Sequence, residues 1–292
     1  MEFSAQRAFE LLLAQTALGI RAPGTPGHEA AVTLIQTELE QLGVPVTRQC
    51  WEVPLSRVPT GRVLLTNLLA RIPGRDHGRT TLVGTHWDTR WIADREPDPA
   101  RRDQPILGAN DGGSGTCVQL ELARLFSRTP PRHDVVLAFF DGEDLGGLDD
   151  HPFATGSAHF VAQLDRPAGA PWRPDEVIAL DMVGGEGMQL NLEANSLTAS
   201  PRSRDLFIRL FHLGRRRGLA PFAGNEVRSI LSDHAPFLAV GIPAVLLIDI
   251  DYPWWHTQGD RPEHCSLDSL DAIGRVLVEY LGGPADPTEG GR

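Results

Sequence analysis

The chain has 292 residues, 41% of them hydrophobic and 22% charged, with a formal net charge of −11. This composition is typical of a globular protein with a sizeable buried core. The acidic balance argues against nucleic acid or an anionic membrane surface as the main partner. No apolar run approaches the roughly 18 residues that a membrane-spanning helix needs, so we expect no membrane partner.

Neither the N-terminus nor the cysteines indicate a compartment. Residues 1–19 have the spacing of an amphipathic helix and lack the basic and apolar regions of a signal peptide, although a leader already removed would leave the same sequence. Cys50, Cys117 and Cys265 form no CxxC pair, so they predict neither a disulfide framework nor a thiolate zinc site. The sequence also says little about oligomeric state, for which our working expectation is a monomer.

Hydrophobic periodicity predicts helices that alternate with strands. In chain order these are helices at 5–19 and 28–42, strands at 45–54, 62–71 and 80–88, a helix at 114–127, a strand at 134–140, a helix at 157–164, a strand at 176–184, a helix at 204–217, a helix start within 232–241, a strand at 242–250 and a helix at 266–281. The polar, Pro-rich segment 90–108 is predicted to be a long loop, and 282–292 a disordered tail.

This alternation predicts an α/β fold with one domain over residues 1–281, built on a central, mixed, twisted sheet flanked by helices. The one basic run, 215–217, ends a helical pattern and suits a helix C-terminus better than a binding patch. In such folds the functional residues lie in loops just past the carboxyl ends of the strands.

Several polar residues at these strand ends are of metal-ligand or acid–base type. Asp111 lies in a Gly-rich turn before a helix, where an N-cap is an equally good interpretation. Glu143 and Asp144 directly follow an apolar strand, and adjacent carboxylates repel each other unless a cation lies between them. A solvated acidic loop is the alternative for this pair.

The set also includes His86, Asp88, Asp181 and His256, which follows the last strand. His86 and Asp88 alternate, so in an extended strand both side chains point to one face, although a single histidine at a strand end is more often structural. Asp181 lies within an apolar strand, where an unpaired carboxylate is costly, so it needs a hydrogen-bond partner or a cation. Carboxylates with one imidazole suit a catalytic zinc site, and no nucleophile elbow or phosphate-binding loop points to another class.

In this order the residues resemble the zinc aminopeptidase superfamily and, within it, the animal-type glutaminyl-peptide cyclotransferase (glutaminyl cyclase) family. The resemblance rests on the segments HWDTRW, VLAFFDGED, TGSAHF and SDHAPFLAVGIPAVLLI, and runs from about residue 60 to residue 281. Its specific parts are the acidic pair after FFDG and the Trp-His-Thr that contains His256.

The resemblance implies one zinc ion per chain, held by the ligands Asp111, Asp144 and His256. It implies that Glu143 is the general acid/base and that Asp181 is a second catalytic carboxylate. The residues implied to line the substrate site are Trp255, in the pocket wall, and Tyr252, near its mouth. The residues implied to support the ligands or to hold a second metal are His86, Asp88, Ser232 and Asp233.

The implied reaction converts the N-terminal glutamine of peptides or proteins to pyroglutamate and releases ammonia. One alternative is a two-zinc aminopeptidase, in which His86 and Asp181 bind a second metal and Asp111 bridges the two ions. Another is a catalytically inactive binding protein on the same fold. An aminopeptidase more typically has tyrosine before the last histidine, so Trp255 favours cyclisation.

The sequence departs from the animal enzymes at several positions. Asp144 replaces a more usual glutamate, and Ser232 replaces an acidic residue of the proton network. Thr85 and Thr116 stand where the animal enzymes carry a disulfide. The tryptophan that follows the acidic pair in those enzymes has no clear match in LGGLDDH. Trp254 is left with two interpretations, pocket rim or ordinary packing.

Overall fold

Eight strands and eight α-helices form within residues 2–76 and 78–283, the part of the chain that this computed structural model describes. The strands are β1 (Val46–Pro54), β2 (Arg62–Ile72), β3 (Thr80–His86), β4 (Asp134–Phe140), β5 (Glu176–Asp181), β6 (Leu192–Glu193), β7 (Val227–Arg228) and β8 (Ala244–Ile248). The helices are α1 (Ala5–Ala17), α2 (Pro26–Gln41), α3 (Gly113–Arg128), α4 (Thr155–Gln163), α5 (Ala194–Thr198), α6 (Pro201–Arg216), α7 (Ala235–Ala239) and α8 (Leu267–Gly282).

None of these helices has the length and apolar composition that a membrane crossing needs. The predicted tail, 282–292, lies outside the described residues from 284 onward. Gly282, the first residue of that predicted tail, is the last residue of α8.

Six strands form one sheet in the order β1-β2-β4-β3-β5-β8. β1, β2 and β4 are antiparallel neighbours, whereas β4, β3, β5 and β8 run parallel. The prediction of a single α/β domain with a mixed sheet is therefore confirmed. Because four strands are parallel, their carboxyl ends meet at one edge, and the turns that follow them are brought close together.

Helices cover both faces of the sheet. In β4, Val135 and Leu137 belong to the apolar cluster that includes residues of α1, α2, α3, α6 and α8, whereas Val136 and Ala138 belong to the cluster that includes residues of α4 and α7. Successive side chains of a strand point to opposite faces, so a strand buried on both sides has a continuous apolar sequence. This is why the DVVLAFF run is a central strand.

The structure moves some predicted boundaries for local reasons. β5 ends at Asp181, three residues early, because Met182 has a φ of 46° in the left-handed region, which breaks the extended chain. α6 begins at Pro201, three residues early, because Ser200 caps it and proline suits the first helical position. The short helix α5 was not predicted; the side chain of Glu193 caps it.

The basic run at the end of α6 is occupied by contacts within the chain. Arg216 and Arg217 pair with Glu279 of α8. Arg215 donates to the carbonyl oxygens of Phe222 and Gly224 at 2.9 and 3.0 Å. The run therefore ties a helix end to its neighbours.

Candidate metal centre

Buried polar side chains from five segments meet beyond the carboxyl ends of the parallel strands. They come from the ends of β3 and β5, from the segments that follow β4 and β8, and from the turn that precedes α3. Each is at most 7% exposed, and they are His86, Asp88, Asp111, Glu143, Asp144, Asp181 and His256. The structure thus brings together all the strand-end residues that the sequence singles out.

Asp111, Asp144 and His256 offer ligand atoms that all lie within 4.8 Å of one another. Nε2 of His256 is 3.5 Å from Oδ1 of Asp144 and 3.7 Å from Oδ2 of Asp111. The Oδ2 atoms of both aspartates are buried without a hydrogen-bond partner among the described residues. Such oxygens are costly unless a cation binds them, and two carboxylates with one imidazole form a donor set that zinc accepts. These residues therefore fit a zinc ion.

His86, Asp111 and Asp181 form a second group with metal-ligand spacing. In this group the side chains contact each other, because Nε2 of His86 lies 3.2 Å from Oδ1 of Asp111 and 3.4 Å from Oδ1 of Asp181. Burial favours a neutral imidazole, but the surrounding carboxylates raise the pKa of His86 well above its ordinary value. Nε2 of His86 is thus already engaged with both carboxylates of this group.

Glu143 lies in the wall of the cavity that is also lined by Asp111, Asp144, Asp181 and His256. Burial raises the pKa of Glu143 well above its ordinary value; His86 opposes this, and the charges of Asp144 and Asp181 add to it. A carboxyl group with a raised pKa is suited to accept a proton and to donate it again.

Asp88 orients the acidic turn that follows β4. It accepts hydrogen bonds from the backbone N–H groups of Glu143 and Asp144, both at 3.2 Å. Its Oδ1 atom also lies 3.6 Å from Nδ1 of His86. A Cβ atom at Gly112, whose φ is 78°, would clash with the backbone oxygen of Asp88, so this position needs glycine.

The resemblance implied that Tyr252 lies near the mouth of the substrate pocket. In the structure Tyr252 does not line the cavity. Its ring packs in an apolar cluster with Met182, and its hydroxyl donates to Oδ1 of Asp260 at 3.1 Å. Asp260 accepts from the backbone N–H groups of Asn110 at 2.8 Å and Asp111 at 3.0 Å. Tyr252 is therefore placed to support the turn that carries Asp111, and Asp260 is a site residue that sequence reasoning missed.

The segment 90–108, predicted to be a long loop, contacts the ring nitrogen of His256 that points away from Asp111 and Asp144. Oδ1 of Asp94 lies 3.0 Å from Nδ1 of His256. Arg90 donates to Asp94 at 2.7 Å and to the backbone oxygen of Asp144 at 3.0 Å. Sequence reasoning missed Asp94 and Arg90, because charged residues in an aperiodic segment carry no signal of what they will contact.

A cavity of about 360 Å³ opens onto the site. Its acidic side consists of residues already described. Its other side is formed by the apolar residues Phe153, Ile230, Leu231, Ile250 and Trp255. Phe153 lies on the segment after the acidic pair, so an aromatic ring does reach the outer cavity from there, which the sequence did not reveal.

The sequence signature of peptidase family M28 matches residues 67–281. The chain belongs to this family. The M28 protein is 26% identical to glutaminyl-peptide cyclotransferase of Bos taurus over 296 residues, which cover 89% of this chain and 78% of the bovine one. The resemblance to glutaminyl cyclases of the zinc aminopeptidase superfamily is thus confirmed.

Solved structures agree with this assignment. The fold of the M28 protein matches a glutaminyl cyclase from Fimbriiglobus ruber with a TM-score of 0.85 and 31% identity, over 96% of this chain and 95% of that one. It matches a Zn-dependent exopeptidase from Parabacteroides distasonis with a TM-score of 0.86 and 27% identity, over 96% and 98% of the two chains. These likenesses confirm the prediction of an enzyme related to the glutaminyl-peptide cyclotransferases, and they support zinc as its metal.

Ser232 and Asp233 of the M28 protein have different surroundings. The hydroxyl of Ser232 donates to Oδ2 of Asp181 at 2.9 Å. The carboxylate of Asp233 is buried, and this burial raises its pKa to about 7. Its charge also raises the pKa of Glu143. Ser232 therefore contacts the site by a hydrogen bond, whereas Asp233 acts on it through electrostatics.

Trp254 is a packing residue of its own loop. It is 39% exposed, and its ring stacks on His264 with the ring centroids 4.2 Å apart. The cavity is lined by Trp255 and not by Trp254. Of the two interpretations, the structure favours packing.

Proposed function

We propose that this M28 protein cyclises the N-terminal glutamine of peptides or proteins to pyroglutamate, releases ammonia and uses one zinc ion per chain. The observation that carries the proposal is the difference between the two ligand groups. Oδ2 of Asp111 and Oδ2 of Asp144 have no hydrogen-bond partner among the described residues, whereas His86 is already engaged with Asp111 and Asp181. The first group therefore presents two buried carboxylate oxygens that an ion would satisfy, whereas the ring of His86 already contacts two carboxylates.

A zinc ion bound to Asp111, Asp144 and His256 would supply Lewis acidity toward the side-chain carbonyl oxygen of the glutamine. Glu143 accepts a proton from the attacking α-amine, whose nitrogen forms a bond to the side-chain amide carbon. The same carboxyl group then delivers the proton to the amide nitrogen, which leaves as ammonia when its bond to that carbon breaks. One residue thus serves as base and then as acid.

The remaining residues position the substrate and exclude water. Asp181, which accepts from Ser232, presents an acceptor to the α-amine beside Glu143. Trp255 and Phe153 provide apolar walls to the same cavity. Because cyclisation needs no water as reactant, such walls favour it over hydrolysis.

A two-zinc aminopeptidase is the second candidate. The ligand spacing of His86, Asp111 and Asp181 supports it, as does the likeness to a Zn-dependent exopeptidase. In that reaction Asp111 would bridge two ions and Glu143 would activate a water molecule.

The deciding experiment incubates the zinc-loaded protein separately with a glutamine-initiated dipeptide and with leucine anilide. Ammonia and free aniline are measured independently. We expect ammonia from the dipeptide and no aniline. Aniline release without ammonia would exclude the cyclase and establish the peptidase.

A further inference from the structure

Arg95 lies at the rim of the cavity, against the tryptophan wall. Its guanidinium carbon is 4.1 Å from the centroid of the Trp255 ring. Its backbone N–H donates to the carbonyl oxygen of His256 at 3.2 Å. Arg95 and Trp255 both line the cavity. The ring contact and the backbone hydrogen bond together hold an exposed cationic side chain in a defined place.

The charge of Arg95 is not matched by a carboxylate anywhere in the described part of the chain. Other arginines of the same segment do have such partners. Arg90 lies 2.7 Å from Asp94, and Arg101 lies 3.4 Å from Glu96. The guanidinium of Arg95 therefore keeps hydrogen-bond donors available at the cavity mouth, in the planar arrangement that suits a carboxylate.

Most of the other titratable residues that line the cavity are carboxylates. The carboxylates that face the cavity are those of Asp94, Asp111, Glu143, Asp144 and Asp181. Of the described lining residues Arg95 is the one arginine, so its guanidinium is the group placed to receive a negatively charged part of a substrate at the rim.

We infer that Arg95 selects substrates with a carboxylate directly after the N-terminal glutamine. The inference rests on the proposed function, which places the glutamine between Glu143 and Trp255 and so brings the next residue to the rim. The carboxylate comes from an acidic side chain at the second position or from the C-terminus of a dipeptide. Both sources present the same chemistry to the guanidinium.

The test compares four peptides: Gln-Glu-amide, Gln-Gln-amide, Gln-Ala and Gln-Ala-amide. In the wild-type protein we expect KM to be about threefold to tenfold lower for each carboxylate peptide than for its neutral match, with kcat unchanged. A lower KM for Gln-Glu-amide than for Gln-Gln-amide would show that Arg95 recognises a side-chain carboxylate. A lower KM for Gln-Ala than for Gln-Ala-amide would show that it recognises the C-terminal carboxylate. Arg95→Gln should remove the preference by raising KM for the carboxylate peptides alone.

Reversing the charge of Arg95 gives a second test of the peptide preference. Arg95→Glu should shift the preference toward Gln-Lys-amide. Arg48→Glu makes the same change in net charge on β1, where Arg48 contacts Gln36 and does not line the cavity. This control should leave the preference intact, because only a local contact distinguishes the peptides.

Equal KM values for charged and neutral peptides, or a preference that survives Arg95→Gln, would overturn the inference. Calorimetric binding of the same peptides to the Glu143→Gln protein repeats the comparison without turnover. Absence of ammonia from all four peptides would therefore overturn the proposed function, while the binding data still decide the role of Arg95.

Discussion

The backbone N–H of Asp111 donates a hydrogen bond of 3.0 Å to Asp260, which lies 149 residues further along the chain. Asn110 donates a second bond of 2.8 Å to the same carboxylate. The segment that carries His256 therefore also holds the turn that presents Asp111. Two proposed metal ligands from distant parts of the sequence are positioned by one loop.

Replacing Asp260 should weaken metal binding without removing a ligand. Asp260→Asn substitutes an NH2 group, which cannot accept, for one of the two accepting oxygens. We expect zinc affinity to fall by roughly 10- to 100-fold, as is typical when support of a ligand is lost. Competition with a chromogenic chelator measures this. Unchanged affinity would mean that the turn holds Asp111 without Asp260.

Tyr252→Phe is the matched control, because it removes only the hydroxyl that donates to Asp260. We expect a loss of about 1 kcal/mol in the free energy of unfolding. KM for glutamine peptides should not change. A raised KM would indicate that Tyr252 contacts the substrate, as the resemblance implied.

The two histidines should differ in their effect on zinc content. We expect about one tightly bound zinc per wild-type chain, and none in His256→Gln, because the site loses one of its three ligands. His86→Gln should retain about one. Atomic absorption after exhaustive dialysis measures these values. Two ions in the wild type and one in His86→Gln would favour the aminopeptidase.

Glu143→Gln should separate catalysis from metal binding. The amide cannot shuttle a proton, so we expect turnover to fall by roughly 10²- to 10⁴-fold while zinc stays bound. Ammonia release and metal content are measured on the same preparation. Asp144→Asn serves as the control that should lose zinc as well as activity. Substantial turnover by Glu143→Gln would remove Glu143 from its proposed role.

The adjacent tryptophans provide a matched pair of substitutions. Trp255→Ala should raise KM for glutamine peptides about tenfold, which corresponds to the loss of about 1.4 kcal/mol of contact with the cavity wall. Trp254→Ala should leave KM unchanged and lower only the melting temperature, because it removes the stack on His264. Steady-state kinetics and thermal unfolding distinguish the two effects. Equal increases in KM would place both rings in the pocket.

Glu193 should make a contribution to stability that is lost in acid. It lies 3.2 Å from Nε2 of His234 and accepts from the backbone N–H of Asn195 at 3.0 Å. Burial alone would raise the pKa of Glu193, but these contacts lower it to about 2. Because the folded pKa lies below the unfolded value, the stabilisation is complete above about pH 4.5 and is lost as the pH falls through about 2.

Glu193→Gln tests this linkage. At neutral pH we expect the variant to be less stable by about 1–2 kcal/mol. The difference should shrink as the pH approaches about 2, where the wild-type carboxylate is itself protonated. Urea unfolding across this range measures it. A difference that is constant with pH would show that the charge of Glu193 does not stabilise the fold.

The alternation of strands and helices, and the positions of the proposed ligands at the strand ends, could be predicted from the amino-acid sequence. Both are local properties: the apolar run of β4 predicts a strand buried on two faces, and Glu143 and Asp144 directly follow it. The family resemblance added the roles of these residues. Boundaries shifted where a single backbone conformation decided them, as at Met182.

Which residues support the proposed ligands and which line the cavity could be seen only in the folded structure. Asp94 meets His256, Tyr252 turns toward Asp260, and of the two tryptophans in DYPWWH only Trp255 lines the cavity. These contacts join loops that are far apart in the chain. They depend on how each loop folds over the edge of the sheet, and no periodic pattern of side chains encodes that path.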